Sequence, residues 1–280
     1  MTESRAVLIT GCSTGIGRAT ALCLHKAGLP VYATARRLET LEELAGAGMT
    51  TLQLDVTDEN SMSLAVKRIA DEHGAVGTLI NNAGNAVYGA VEDVALDTAR
   101  SSFETNLWGA VRLSQLVIPG MRAQKSGRIV NISSIFGKFS PPGSAIYNAA
   151  KHAVEAYSDA MRLELAPFGV KVSLVEPGPV RSEFFATSMM LFAGSQEPVY
   201  ADFYTALANQ AIELHEGKGR IGGMMVTTDQ VAAVIEKAAT SANPKARYSA
   251  GRLSRGMLTL RRFMPDTMFD RVVRSQFPHP

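Results

Sequence analysis

Tyr147 and Lys151 stand four residues apart, in a stretch 145–166 whose pattern predicts a helix ended by Pro167 and Gly169. At that spacing both side chains share one helix face. A phenol titrates near 10, so work as a base near neutrality requires a stabilisation of its anion by ~4 kcal/mol. A lysine ammonium at ~4 Å supplies about 4 kcal/mol at an effective dielectric of 20. In the reverse sense the same phenol donates a proton. Taken alone, a Tyr-x-x-x-Lys spacing is common by chance and fits the surface of any amphipathic helix.

A second chemical signal lies near the start. Thr10-Gly-Cys-Ser-Thr-Gly-Ile-Gly17 puts Gly11, Gly15 and Gly17 between an apolar run, 6–10, and a helical pattern, 16–27. Glycine suits a backbone that takes positive φ or lies close against a phosphate. The N–H groups at the start of the following helix then face an anion. The strand–turn–helix context makes this a dinucleotide loop, with Ser13 and Thr14 adding hydroxyls.

These residues need a scaffold. Apolar runs at 6–10, 31–35, 52–56, 78–81, 128–132 and 170–175 alternate with helical patterns at 16–27, 38–45, 58–69, 98–121, 145–166 and 229–240. A last short strand is expected at 247–250. Such alternation predicts a parallel sheet with helices on both faces and a nucleotide crevice at the strand C-termini. The stretch 183–227 breaks the rhythm and reads as a lid or binding loop.

The end of the second strand separates two nicotinamide cofactors. An acid there bonds the ribose 2′-hydroxyl of NAD, whereas a basic residue suits the 2′-phosphate of NADP. The chain reads Thr34-Ala-Arg-Arg37, with no acid before Glu39. The expectation is NADP(H) rather than NAD(H), held by Arg36 ahead of Arg37.

The loop spacing is GxxxGxG, and with it the chain resembles the short-chain dehydrogenase/reductases. Their TGxxxGIG stands at Thr10 to Gly17, their NNAG at Asn81 to Gly84, their YxxxK at Tyr147 and Lys151, and their PG pair at Pro177-Gly178. The matches run through residues 5–250. The resemblance implies a single Rossmann-type doubly wound parallel sheet of about seven strands. It implies hydride transfer between nicotinamide and a carbonyl or secondary alcohol. It makes Tyr147 the acid/base and Lys151 its partner and ribose holder. Ser134 orients the substrate oxygen, chosen over Ser133 because the family places the serine thirteen residues before the tyrosine. Asn106 supports a proton relay. Ile16 completes the loop, Asp55 and Val56 flank the adenine, Asn82, Ala83 and Gly84 line the ribose, and Val180 and Ser182 lie near the carboxamide. Thr10 to Gly17 and Val31 to Arg36 look like the branch holding 17β-hydroxysteroid and retinol dehydrogenases. With the Phe and Met residues of 184–192 and Phe136 to Pro142, that favours an apolar steroid-, retinoid- or lipid-like substrate. The family also implies a homodimer or homotetramer. A non-catalytic NADP sensor or scaffold on the same fold is the rival reading, but such proteins usually lose a catalytic residue.

Composition sets outer limits. The chain has 280 residues, 46% hydrophobic and 19% charged, which supplies a sizeable core and excludes global disorder. The expected division is a nucleotide-binding domain over 1–251, with the lid 183–227 inserted, and a C-terminal extension over 252–280. Cys12 and Cys23 suggest neither disulfide nor zinc site, and the scattered His residues give no metal cluster. No apolar run suits a signal peptide or a membrane span, so a cytoplasmic protein is expected. The net charge of +2 hides a split. Residues 245–280 carry eight Lys/Arg against two acids, and the remainder is mildly acidic. No motif points to nucleic acid. The tail reads either as a basic amphipathic helix pair on a membrane surface or as an extension folded over the lid or a partner subunit.

Overall fold

The computed structural model describes residues 3–184, 197–218 and 222–280. Seven parallel strands form the sheet: β1 (Val7–Ile9), β2 (Val31–Ala35), β3 (Thr50–Gln53), β4 (Thr78–Asn81), β5 (Gly127–Ile132), β6 (Val170–Pro177) and β9 (Arg247–Ala250). Their order is β3-β2-β1-β4-β5-β6-β9. The winding reverses between β1 and β4, so a crevice opens where those two strands end. A small pair, β7 (Val180–Arg181) and β8 (Val226–Thr227), lies beyond it.

Alternate strand residues feed two cores. Val7, Ile9, Val31, Ala33 and Val130 pack with Leu24 of α1 (Gly15–Lys26) and with Val231 and Ile235 of α8 (Thr228–Thr240). Leu8, Tyr32, Leu79, Ile129 and Val172 pack on the other face. Their partners are Met62 and Ile69 of α3 (Glu59–His73), Leu113 and Val117 of α5 (Gly109–Ala123), and Met161 of α6 (Ala145–Leu165). Strands buried on both faces explain their continuous apolar runs. A short helix, α2 (Glu42–Gly46), precedes β3, and α7 (Ala201–His215) follows β7.

Three expected elements differ. The third strand, expected at 52–56, runs Thr50–Gln53. Asp55 ends it early, because its Oδ1 accepts from Thr57 N at 2.9 Å and Thr57 Oγ1 at 2.8 Å and so folds a turn. The helix expected at 38–45 is a 3-10 turn, Leu38–Leu41, leading into α2. The long helix expected at 98–121 runs as α4 (Leu96–Phe103), a π turn (Glu104–Trp108) and α5. Within the stretch read as a lid, residues 185–196 and 219–221 lie outside the described residues; the rest includes α7 rather than a bare loop.

The tail forms α9 (Arg252–Phe263) and α10 (Asp266–Gln276). It folds back on the body. Phe269 and Val273, with Met257, Leu258 and Phe277, pack against Ile135, Phe136 and Phe139. Among the described residues no helix is long and apolar enough to cross a membrane.

Candidate active site

The crevice is built first from backbone. Thr10 N donates to Ile80 O at 3.1 Å, which locks the end of β1 to β4. Thr10 Oγ1 accepts from the backbone N–H of Asn82 and of Ala83, each at 3.0 Å. Asn82 Nδ2 donates to Thr10 O at 2.9 Å and Gly11 O at 3.1 Å. The Asn81–Gly84 stretch therefore braces the glycine loop. Asn81 itself points inward, donating to Asn131 Oδ1 at 2.9 Å. Gly11 and Gly15 take φ of +73° and +60°, which other residues rarely adopt. A Cβ on Gly17 would run into Gly11 O and come within 2.5 Å of Asn82 Nδ2.

This cradle suits a pyrophosphate. Thr14 leads into α1 without a side-chain cap, and the first turn of α1 holds no acid. Its N–H groups and dipole are left for an anion. Ser182 borders the loop: a Cβ on Gly15 would lie 3.5 Å from its Cβ. Pro177 ends β6 and Gly178 backs onto Ser254. Arg36 and Arg37 are exposed beyond β2. Gln53 Nε2 ties down the Arg36 carbonyl at 3.0 Å, and Arg37 pairs with Glu39 at 3.8 Å. Asp55 spends its carboxylate on its own turn, and Val56 is buried behind Gly109. Cys12 is buried under the loop, and burial pushes its thiol up to about 12. Cys23 is only partly covered and donates to Glu236 Oε2 at 3.2 Å.

α6 brings the second group. Tyr147 and Lys151 are both buried, and Lys151 Nζ lies 5.7 Å from the Tyr147 ring centroid. Lys151 Nζ donates to Ile132 O at 2.9 Å, which anchors it under β5. Burial pushes the Tyr147 phenol up to about 12, and the Ser134 hydroxyl opposes that shift. Burial lowers Lys151 to about 8, opposed by the Glu155 charge one turn on. Glu155 Oε2 in turn accepts from Lys138 Nζ at 2.6 Å and Arg247 Nε at 3.0 Å. Glu176 joins this cluster through a 3.4 Å ion pair with Arg247 Nε.

Ser134 Oγ accepts from Phe136 N at 3.1 Å, which fixes the turn that carries it toward Tyr147. Ser133 points away: its buried Oγ lies where a Cβ on Gly137 would come within 2.8 Å of it. Of the two serines, Ser134 is the one whose hydroxyl bears on the Tyr147 phenol. Asn106 sits in the π turn. Its Nδ2 donates to Asn85 O and Ser102 O, both at 2.9 Å. Its Oδ1 faces Gly84, where a Cβ would lie 2.8 Å from it and 3.8 Å from Lys151 Nζ. π turns recur at functional sites because they re-aim a side chain. His152 turns outward against Asn148 O at 2.9 Å.

Around Tyr147, Phe136 and Phe184 stand out in the sequence, whereas Tyr88 and Phe277 do not. Burial and the nearby Tyr147 both push the Tyr88 phenol up. Phe136 and Phe184 flank the Tyr147 ring at 6.5 and 6.1 Å between centroids. Phe277, from the last residues of the tail, packs on Phe136 at 5.9 Å. Nothing local marks Tyr88 or Phe277, since both arrive through tertiary folding.

The short chain dehydrogenase family model matches residues 5–189. The chain belongs to the short-chain dehydrogenase/reductase family. It is similar to YbbO of Escherichia coli, an uncharacterised oxidoreductase, with 32% identity over 272 residues covering 97% of this chain and 94% of the relative. It is 34% identical over 273 residues to the 3-ketodihydrosphingosine reductase of Bacteroides thetaiotaomicron, covering 97% of each. A short-chain dehydrogenase from Streptomyces avermitilis superposes with a TM-score of 0.80 at 32% identity, over 99% of both chains. The structure of ElxO, which has NADP bound, gives 0.71 at 26% identity over 88% of this chain and 97% of that one. As a short-chain dehydrogenase/reductase, the chain is an oxidoreductase acting between CH–OH and C=O with NAD(P).

Proposed function

We propose that the protein is an NADPH-dependent ketone reductase whose substrate carries its carbonyl on an apolar body. The observation that carries this reading is the state of Tyr147. Its phenol is buried, held up at about 12 by that burial, and walled by aromatic rings. At neutral pH it is a proton donor.

When bound, the nicotinamide supplies the hydride. The Gly11 to Gly17 loop and the first turn of α1 would hold its pyrophosphate, with Ser13 and Thr14 beside it. Arg36 would meet the 2′-phosphate. Asn82 to Gly84 would line the ribose, and Pro177, Gly178, Val180 and Ser182 the nicotinamide end. Ser134 would hold the carbonyl oxygen by a hydrogen bond and stabilise the charge gathering there. Tyr147 Oη would deliver the proton to that oxygen. Lys151, fixed by Ile132 O, would favour the anion left on Tyr147 by its charge. Asn106, fixed on Asn85 and Ser102, would position the end of the proton path beside Gly84 and Lys151.

Phe136, Phe184 and the tail-borne Phe277 support an apolar substrate. The Bacteroides thetaiotaomicron relative, by its name a 3-ketodihydrosphingosine reductase, supports a ketone on a long chain over a steroid or retinoid. The test is NADPH oxidation against 3-ketodihydrosphingosine, a steroid ketone, retinal and acetoacetate, with NADH as control. The reading expects the best kcat/KM for the long-chain ketone. Turnover of acetoacetate alone would overturn the apolar site. Tight NADPH binding with no consumption by any carbonyl would favour a sensing protein.

A further inference from the structure

Both tail helices meet the body with one face and leave the other uncovered. On α9, Ser254 is buried and Met257, Leu258 and Arg261 are half-buried. At about 100° per residue these four share one side. Arg252, Thr259 and Phe263 occupy the opposite side, with Arg255, Arg262 and Leu260 at its flanks, and all are exposed. Phe263 is 77% exposed, Leu260 36%, and Met268 on α10 49%. Arg262 lies over the Phe263 ring at 5.7 Å. A shallow groove of about 490 Å³ crosses this face, lined by Arg255, Gly256, Thr259, Leu260, Phe263 and Met264. Among the described residues the only ion pair of the tail helices is Arg261–Asp266 at 2.7 Å. Arg252, Arg255, Arg262, Arg271 and Arg274 therefore have no carboxylate partner there.

We propose that this outer face docks on an anionic lipid surface. The packed inner face accounts for Phe269 and Val273, but not for a phenyl ring projecting between unpaired arginines. An apolar ridge flanked by guanidinium groups matches a surface with acidic headgroups above an apolar layer. A second copy fits poorly, since a two-fold contact would set the same arginines against each other. A nucleic acid would use the arginines but not the exposed Leu260 and Phe263 beside them. The inner face of the same helices packs around Phe136 beside Tyr147, so docking would bring the site's aromatic wall close to the lipid.

The test is co-sedimentation of the full chain with phosphatidylcholine vesicles, with and without phosphatidylglycerol. The expected result is strong partition onto the anionic vesicles, weak partition onto the neutral ones, and release by high salt. Each arginine neutralised among Arg255→Gln and Arg262→Gln should lower partition roughly fivefold. Phe263→Ser should lower it at unchanged charge. Because these side chains are exposed, the variants should keep the wild-type melting temperature and NADPH affinity. Three results would overturn the proposal. One is equal partition onto both vesicle types. Another is full partition of the variants. The third is no vesicle binding together with a dimer, or an acidic polypeptide complex, that Phe263→Ser abolishes.

Discussion

Replacing Arg36 with alanine should separate the two nicotinamide cofactors. The guanidinium extends from the C-terminal end of β2 into solvent, while its own carbonyl is fixed by Gln53. The nearest acid along the chain, Glu39, is engaged at 3.8 Å by Arg37. Arg36 thus meets an incoming phosphate without first breaking an ion pair. A hydrogen bond to a charged group is worth about 1.5–3 kcal/mol. That corresponds to a loss of about 10- to 150-fold in NADPH affinity. NADH lacks the 2′-phosphate, so its affinity should not change. Arg37→Ala should cost less, because Arg37 already shares its charge with Glu39. The assay is fluorescence titration of both cofactors against wild type and the two variants, at low and high salt. Salt should shrink the Arg36 effect on NADPH. Equal weakening of NADPH and NADH, or no weakening of either, would refute the assignment. A larger loss in Arg37→Ala would refute the order of the two.

Three further outcomes follow from the geometry. Gly17→Ala puts a methyl group against Gly11 O and Asn82 Nδ2, so it should displace the loop, lower stability by about 1–3 kcal/mol and weaken NADPH binding at least tenfold; calorimetric titration and urea denaturation check both. Glu176 is held at about 7 rather than 4.5, by burial first and by the Glu155 charge second. The folded state therefore keeps a proton that the unfolded chain releases, and this contribution to stability, complete below about 4.5, is lost as the pH rises to about 7. Denaturation midpoints between those pH values should decline in the wild type and flatten in Glu176→Gln, and parallel profiles would contradict this. Phe277→Ala removes a ring packed at 5.9 Å on Phe136 and 6.4 Å on Phe139. It should cost about 1–2 kcal/mol and raise KM for long-chain ketones more than it lowers kcat, as steady-state kinetics would show.

What the sequence made legible was local. The glycine loop could be read because Gly11 and Gly15 need positive φ within one turn, between an apolar run and a helix. Tyr147 and Lys151 could be read because a helix fixes where residues four apart point. The seven-stranded parallel sheet followed from buried runs alternating with helical patterns. What stayed hidden depends on contacts distant along the chain. The π turn at Asn106 is held by Asn85, Ser102 and the approach of Gly109 to Val56. The early end of β3 turns on one carboxylate, Asp55, choosing Thr57 over the sheet. The height of the Tyr147 phenol reflects burial, which a pairwise estimate with Lys151 leaves out. Which face of the tail packs is also hidden: Phe269 and Val273 meet the body through Ile135, Phe136 and Phe139, while Phe263 faces outward.

On this mechanism Tyr147 delivers the proton to the substrate oxygen. The most direct test is Tyr147→Phe, assayed by NADPH consumption with the best ketone substrate and by NADPH titration. Loss of a positioned general acid costs about 10²–10⁴-fold. The kcat should fall by that factor with NADPH affinity and melting temperature unchanged. Turnover near the wild-type rate would contradict the mechanism.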